Sequence, residues 1–217
     1  MCRRLPAMPR SLPSTPPLRS VAVVIDDGLS PFEFAVACEV FGVDRTAQGM
    51  PAFEFAVCSP SAGPVTTPMG FTVSAPCRLE PLATADLVIV PALGSDYRPG
   101  EPLVEALRAA VARGAIVVSL CSGAYILARA GLLDGRRATT HWFYAQEFAA
   151  EFPAVQVVPD VLFIEDGPIA TSAGTAASVD LCLHLVRRSH GPAVANHLAR
   201  RMVVPPQRAG GQRQYVQ

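Results

Sequence analysis

The chain contains no lysine, and all 18 of its basic residues are arginine. A phosphate-binding Walker loop requires a lysine, so that class of nucleotide site is excluded. No glycine-rich dinucleotide fingerprint follows the first predicted strand, the zinc-protease pattern H-E-x-x-H is absent, and the four histidines show no metal-ligand spacing. The sequence therefore predicts neither a cofactor nor a metal centre.

Long apolar runs and paired cysteines are also missing. No uninterrupted apolar stretch reaches the roughly 18 residues that a membrane-spanning helix requires. Residues 1–19 carry four arginines and five prolines without an apolar core, so we predict a disordered basic arm and not a secretory signal. The six cysteines form no C-x-x-C pair, which argues against a disulfide framework and a cysteine zinc site. These absences favour a cytoplasmic protein with reduced thiols and no membrane partner.

Charge is spread unevenly along the chain. Residues 21–180 contain all 18 acidic residues but only eight arginines, whereas residues 181–217 contain six arginines and no acidic residue. A basic tail can approach nucleic acid electrostatically. A solvated helix and tail would give the same pattern, and this simpler explanation is favoured.

Short apolar runs alternate with helix-like segments, and this order predicts the fold class. All-apolar strands that alternate with helices form a mostly parallel sheet covered on both faces, so we predict one α/β domain over residues 20–203. The proline, glycine and glutamine content of residues 204–217 predicts a linker-like tail. The predicted strands cover residues 21–26, 53–58, 87–91, 115–120, 138–140, 155–158, 162–165 and 169–171, and the predicted helices cover residues 31–46, 101–113, 122–130, 142–151, 172–189 and 192–202.

Cys121 lies between a predicted strand and a predicted helix, and it is the first candidate functional residue. Residues 119–123 resemble a nucleophile elbow, in which a tight strand-to-helix turn presents the central side chain. The partial positive charge at the start of the helix favours a thiolate. A small apolar residue that closes a strand is the alternative, since free cysteine is among the most buried residue types.

Glu33 and His141 are predicted at the same edge of the sheet as Cys121. Ligands of parallel sheets bind at the carboxyl ends of the strands, and each of these residues follows a predicted strand. A thiol, an imidazole and a carboxylate together could form a nucleophilic or proton-transfer site. Taken singly, His141 is also typical of a hydrogen-bonded structural histidine, and Glu33 of a surface acid near a helix N-terminus.

Backbone donors and one aromatic side chain complete the predicted site. The N–H groups at the start of the Ser122 helix and in the turn at residues 92–94 could hold an oxyanion. Trp142 is the only tryptophan. It is expected in the core, with an aromatic wall for a cationic ligand as the alternative.

Four segments of the sequence together match a known family pattern: Glu33 with residues 37–41, residues 87–91 with the turn that follows, residues 121–123 and residues 139–142. With these segments the chain resembles the ThiJ/PfpI branch of the class I glutamine amidotransferase-like superfamily. The spacing of twenty residues from Cys121 to His141 is typical of this branch. Further matching segments are residues 131–142, 160–167, 171–180 and 208–212. With them the chain looks most like the sensor domain of GlxA-like, AraC-type transcription regulators.

The resemblance implies a flavodoxin-like three-layer sandwich with a mostly parallel central sheet. It also implies that Cys121 is the elbow residue, that Glu33 faces it and that His141 is its neighbour. Ligand contacts are then expected from Cys121, Ser122, Leu93, Glu33, His141 and Trp142, with Leu93 and Ser122 as main-chain donors.

Three positions, in two segments, depart from the family pattern. The proteases of this branch carry a histidine directly after the elbow cysteine, where this chain has Ser122, which argues against protease chemistry. Many family enzymes have two glycines where this chain has Ala92 and Leu93. The Leu93 side chain is expected to narrow the mouth of the pocket.

The resemblance leaves different functions open. The first is a small-molecule-sensing domain that forms a homodimer and reaches DNA only through a helix-turn-helix half that this chain does not contain. The second is a stand-alone, isonitrile-hydratase-like cysteine hydratase or hydrolase that uses Cys121 with Glu33 and His141 and needs a low thiol pKa. A third is a redox sensor in which Cys121 is oxidised to a sulfenic acid.

Overall fold

The computed structural model describes residues 17–214, along which strands and helices alternate as predicted. The strands are β1 (Ser20–Val24), β2 (Glu54–Cys58), β3 (Pro64–Thr66), β4 (Thr72–Ser74), β5 (Leu87–Val90), β6 (Ile116–Leu120), β7 (Arg137–Ala138), β8 (Gln156–Val157), β9 (Phe163–Asp166) and β10 (Ile169–Ser172). The α-helices are α1 (Pro31–Ala37), α2 (Glu101–Ala112), α3 (Gly123–Arg129), α4 (Ala145–Glu151), α5 (Ala176–His190) and α6 (Pro192–Arg201).

Six strands form the central sheet, in the order β2-β1-β5-β6-β10-β9. All neighbours in this sheet pair in parallel except β10 and β9, which pair antiparallel at one edge. The sheet is therefore mostly parallel, and the predicted fold class is confirmed. Because ligand sites of parallel sheets lie beyond the carboxyl ends of the strands, a site is expected among the segments that follow β1, β5, β6 and β10.

Helices cover both faces of the sheet, and the alternation of side chains along β5 shows why. Val88 and Val90 belong to the core shared with α2 and α3, whereas Leu87 and Ile89 belong to the core shared with α5 and α6. All four are fully buried. Since each buried branched side chain contributes about 1.5–3 kcal/mol, a strand that is apolar on both faces is stable only between two helical layers. The domain is a three-layer α/β sandwich.

Some local structure differs from the sequence prediction. The helix predicted over residues 31–46 is α-helical only to Ala37, and it continues as a wider π-helical turn over Cys38–Gly42. The antiparallel β3–β4 hairpin was not predicted. Strands β7 and β8 pair with each other in a separate two-stranded ladder.

The predicted terminal segments are only partly described by the structure. The basic arm predicted for residues 1–19 lies outside the described residues as far as residue 16. Of its remaining residues, Leu18 is buried, and its N–H donates to Ser189 Oγ at 2.6 Å. In the tail, residues 215–217 lie outside the described part. Within residues 17–214, no helix combines the length and the apolar character that crossing a membrane requires.

Candidate functional site

The tight turn predicted at Cys121 is present at the end of β6. Cys121 has a φ of +54°, a left-handed conformation that residues other than glycine rarely adopt. Its N–H donates to Ser172 O at 3.1 Å, and its carbonyl accepts from Thr140 Oγ1 at 3.0 Å. These hydrogen bonds tie the strained residue to the end of β10 and to the segment after β7, so the turn is held from two sides.

Two glycines allow the elbow to form. A Cβ on Gly123 would lie 2.3 Å from Val90 O, so α3 can begin this close to β5 only without a side chain. A Cβ on Gly174, whose φ is +87°, would lie 2.3 Å from the Cβ of Cys121 and 2.7 Å from its Sγ. The loop after β10 therefore packs directly against the elbow, and both glycines are steric requirements of the site.

Glu33 lies in the first turn of α1 and is almost completely buried. Its Oε1 accepts from the N–H of Thr175 at 2.9 Å, and its Oε2 accepts from the hydroxyl of Ser30. Thr175 is also strained, with a φ of +43°. The buried carboxylate thus has a donor on each oxygen, which offsets part of its desolvation.

His141 begins a 3-10 turn that covers Trp142–Tyr144. Its Nδ1 accepts from the N–H of Phe143 at 3.2 Å, and this bond places the proton of the neutral ring on Nε2. Burial lowers the pKa of His141, and the nearby Glu33 carboxylate opposes this only in part. The ring is therefore neutral at pH 7.

A cleft of about 620 Å³ brings several of these side chains together. Two exposed aromatic rings form part of its wall, since Phe32 is 52% and Phe143 is 68% exposed. A concave, mainly apolar site with a few polar groups is typical of small-molecule binding. The lining residues are Gly28, Ser30, Phe32, Glu33, Pro68, Ala92, Gly94, Cys121, Ser122, His141, Phe143, Tyr144 and Thr175.

Four of the predicted site residues lie in this cleft, namely Cys121, Ser122, Glu33 and His141. They come from the ends of β1, β6 and β7, which follows from the rule that parallel strands end at one edge. Their placement agrees with the sequence analysis, and their roles in binding or catalysis stay predictions.

Trp142 and Leu93 do not take the predicted positions. Trp142 is 37% exposed, so the expected core position is wrong, and it lines a separate, smaller cavity of about 150 Å³ and not the Cys121 cleft. The Leu93 side chain is buried in the core at 1% exposure, and the cleft is lined instead by its neighbours Ala92 and Gly94. The prediction that Leu93 narrows the mouth is therefore wrong, because the turn directs this apolar side chain inward.

Sequence reasoning missed four residues that line the cleft, namely Phe32, Pro68, Phe143 and Tyr144. Phe143 and Tyr144 follow His141 directly, so the run of three aromatic residues after the histidine was the available signal. Phe32 directly precedes Glu33 in α1, so its position next to a predicted site residue was the available signal. Pro68 comes from the loop between β3 and β4, for which the sequence held no signal.

The thiol of Cys121 is not activated by its surroundings. Burial and the charge of Glu33 raise the pKa of Cys121 to about 12, although the N–H of Ser122 lowers it in part. The thiolate expected from the sequence is thus wrong for this structure. The reason is that burial of the sulfur and the neighbouring Glu33 carboxylate outweigh the favourable start of α3.

The fold and the elbow together define a flavodoxin-like α/β domain with a cysteine at the tight turn beyond a central strand. Residues 19–188 match the model of the DJ-1/PfpI family, and the chain belongs to this family.

Named relatives include regulators and an enzyme. The chain is 39% identical over 153 residues to the HTH-type transcriptional regulator CdhR of Pseudomonas aeruginosa. This match covers 70% of this chain and 45% of the regulator. It is 32% identical over 131 residues to the isonitrile hydratase of Pseudomonas putida, which covers 59% of this chain and 56% of the enzyme. The chain thus spans about half the length, or less, of the regulators that it matches.

A solved structure supports the fold. The crystal structure of an AraC family transcriptional regulator from Pseudomonas putida superimposes with a TM-score of 0.73 at 24% identity. The match covers 85% of this chain and 99% of that one. At this level of identity the similarity establishes the fold alone.

Proposed function

We propose that this domain senses a small molecule in the Cys121 cleft and belongs to an AraC-type transcription regulator. One observation carries the proposal: a roomy cleft with an aromatic wall surrounds a cysteine whose thiol is protonated at neutral pH. A binding pocket requires the first feature, whereas a nucleophilic enzyme would have to deprotonate Cys121 during its reaction. In this proposal the domain acts as a homodimer and reaches DNA only through a separate helix-turn-helix half.

The charges around the cleft restrict the class of ligand. Glu33 is the one acidic residue among the residues that line it, and none of those residues is an arginine. His141 is neutral at pH 7 because burial lowers its pKa. The cleft should therefore reject anions and accept neutral or cationic metabolites. Phe32, Phe143 and Tyr144 offer ring faces to an apolar or cationic group.

A thermal-shift screen with amino acids and quaternary amines tests the proposal. A ligand selective for the native state at about 100 times its Kd adds about 2.7 kcal/mol of stability. At about 2–4 °C per kcal/mol for a domain of this size, Tm should rise by roughly 5–10 °C. Phe143→Ala should abolish the shift, and Phe71→Ala, an exposed aromatic residue outside the cleft, should preserve it. Absence of any shift across the screen would count against a sensor.

A cysteine hydratase or hydrolase is the second candidate function. The observations in its favour are the similarity to an isonitrile hydratase and the presence of Cys121, Glu33 and His141 in one cleft. For this function Cys121 must attack as a thiolate, so substrate binding would have to lower the thiol pKa from about 12. Incubation with isonitriles, with Cys121→Ser as the control, tests it by the appearance of the hydrated product.

A further inference from the structure

Residues 206–214, which we call the strap, pack against the domain despite their linker-like composition. Leu162 donates its N–H to Gly210 O at 2.8 Å and to Gln212 O at 3.1 Å, and Gln214 donates its N–H to Asp160 O at 2.8 Å. A Cβ on Gly210 would lie 2.7 Å from Phe163 O, so the strap lies in close backbone contact beside β9. This end of the strap is therefore held by main-chain hydrogen bonds.

The other end of the strap is held by an ion pair. The guanidinium of Arg208 contacts both carboxylate oxygens of Asp180 on α5, with Nε at 2.9 and 3.1 Å. Asp180 is only 7% exposed. A two-pronged pair with a buried carboxylate fixes both position and orientation.

The side chain of Gln214 grips the peptide groups on either side of His141. Its Nε2 donates to Thr140 O at 3.2 Å, and its Oε1 accepts from the N–H of Trp142 at 3.0 Å. The same amide nitrogen lies 2.8 Å from Pro159 O and 2.9 Å from Val161 O. The side-chain amide of Gln214 thus satisfies the main-chain groups on both sides of His141, as a neighbouring strand would in a sheet.

This segment is also joined to the elbow. The hydroxyl of Thr140 donates a hydrogen bond to Cys121 O at 3.0 Å, and the carbonyl oxygen of Thr140 accepts one from Gln214 Nε2. His141 and Thr175 line both the cleft and the smaller cavity, and Arg208 and Gln214 line that smaller cavity as well. The strap therefore lines a cavity that shares His141 and Thr175 with the Cys121 cleft.

We propose that Gln214 is a positioning residue for His141, and that the docked strap is a structural part of the Cys121 cleft. The inference deepens the proposed function, because a cleft whose wall depends on the strap couples ligand binding to strap docking. By thermodynamic linkage, a ligand that requires His141 in place must also favour the docked strap.

The test compares Gln214→Ala with Gln212→Ala. Gln212 is the matched control, because it lies in the same strap and contributes its main-chain oxygen to the docking. Histidine C–H signals in NMR give the titration of His141, assigned with His141→Gln, and the emission of Trp142, the only tryptophan, reports on the adjacent residue. In Gln214→Ala we expect the His141 midpoint to rise, because the ring becomes more hydrated and loses part of the burial that lowers its pKa. We also expect the Trp142 emission to move to longer wavelength, whereas Gln212→Ala changes neither.

A second variant and a measurement on the unmodified protein complete the test. Gln214→Glu keeps an acceptor for Trp142 but turns a carboxylate toward three carbonyl oxygens, so at neutral pH it should reproduce the effects of Gln214→Ala. The N–H of Trp142 is the first of a 3-10 turn and so has no acceptor within the turn. In the unmodified protein it should nevertheless exchange slowly with solvent, because Gln214 Oε1 accepts from it.

A folded Gln214→Ala with unchanged His141 titration and Trp142 emission would overturn the proposal, as would fast exchange of the Trp142 amide. None of these measurements uses a ligand. A negative ligand screen would therefore count against sensing and leave the positioning role of Gln214 standing.

Discussion

The protonation state of Cys121 separates the two candidate functions, and its effect on the rate of thiol alkylation can be worked out. The pKa of Cys121 is about 12, against about 8.5 for a free thiol. At pH 7.5 the thiolate fraction is then lower by roughly 10³- to 10⁴-fold. The less acidic thiolate is intrinsically more nucleophilic, with a Brønsted slope of about 0.4–0.5. The net expectation is alkylation on the order of 10² times slower than that of a free thiol.

Alkylation with iodoacetamide, followed by peptide mass spectrometry for Cys121, measures this rate at each pH. The logarithm of the rate should rise linearly with pH through pH 10, because the thiol has not yet reached its pKa. Glu33→Gln removes the neighbouring negative charge, lowers the pKa and should raise the rate at pH 7.5. Glu54→Gln, an exposed acid on β2, is the control and should have no effect. A plateau below about pH 9 would refute the reasoning and favour the hydratase.

Two further predictions concern stability. Gly174→Ala should destabilise the domain by about 2–5 kcal/mol, because it adds left-handed strain and a Cβ 2.3 Å from Cys121; Gly49→Ala, with a similar positive φ but no neighbour within 4 Å, should cost only about 1 kcal/mol. Asp180→Asn should cost about 1.5–3 kcal/mol, because the hydrogen bonds of Arg208 to the buried carboxylate lose their second charge. Urea titrations measure the free energy of unfolding of all three variants. Equal losses of stability for the two glycine variants, or no loss for Asp180→Asn, would contradict these expectations.

The sheet and the elbow were predictable because they depend on local patterns. A run of apolar residues such as β6 has no stable place except between two helical layers, and the strand-to-helix boundary then falls at Cys121. The meeting of Glu33, Cys121 and His141 followed from topology, since each comes shortly after a parallel strand. No distance had to be known for this prediction.

Other features depended on geometry that composition does not encode. The β3–β4 hairpin has strands of only three residues each, too short for a periodic signal, and it supplies Pro68 to the cleft. In the 3-10 turn after His141, successive side chains point about 120° apart. The sequence could not tell whether Trp142 or Phe143 faces the cleft, and the structure places Phe143 there. The direction in which the pKa of Cys121 shifts could be predicted only with the burial of the thiol and the position of Glu33 known.

Backbone strain argues that the elbow is more than a buried structural cysteine. Cys121 and Thr175 both have positive φ, on two loops that touch at Gly174. Each strained residue costs about 1–3 kcal/mol and persists only where its surroundings hold it. Here Glu33 holds the N–H of Thr175, while Ser172 and Thr140 hold Cys121. A cysteine that only fills space needs no such arrangement, whereas a cleft that must keep its shape before a ligand arrives does.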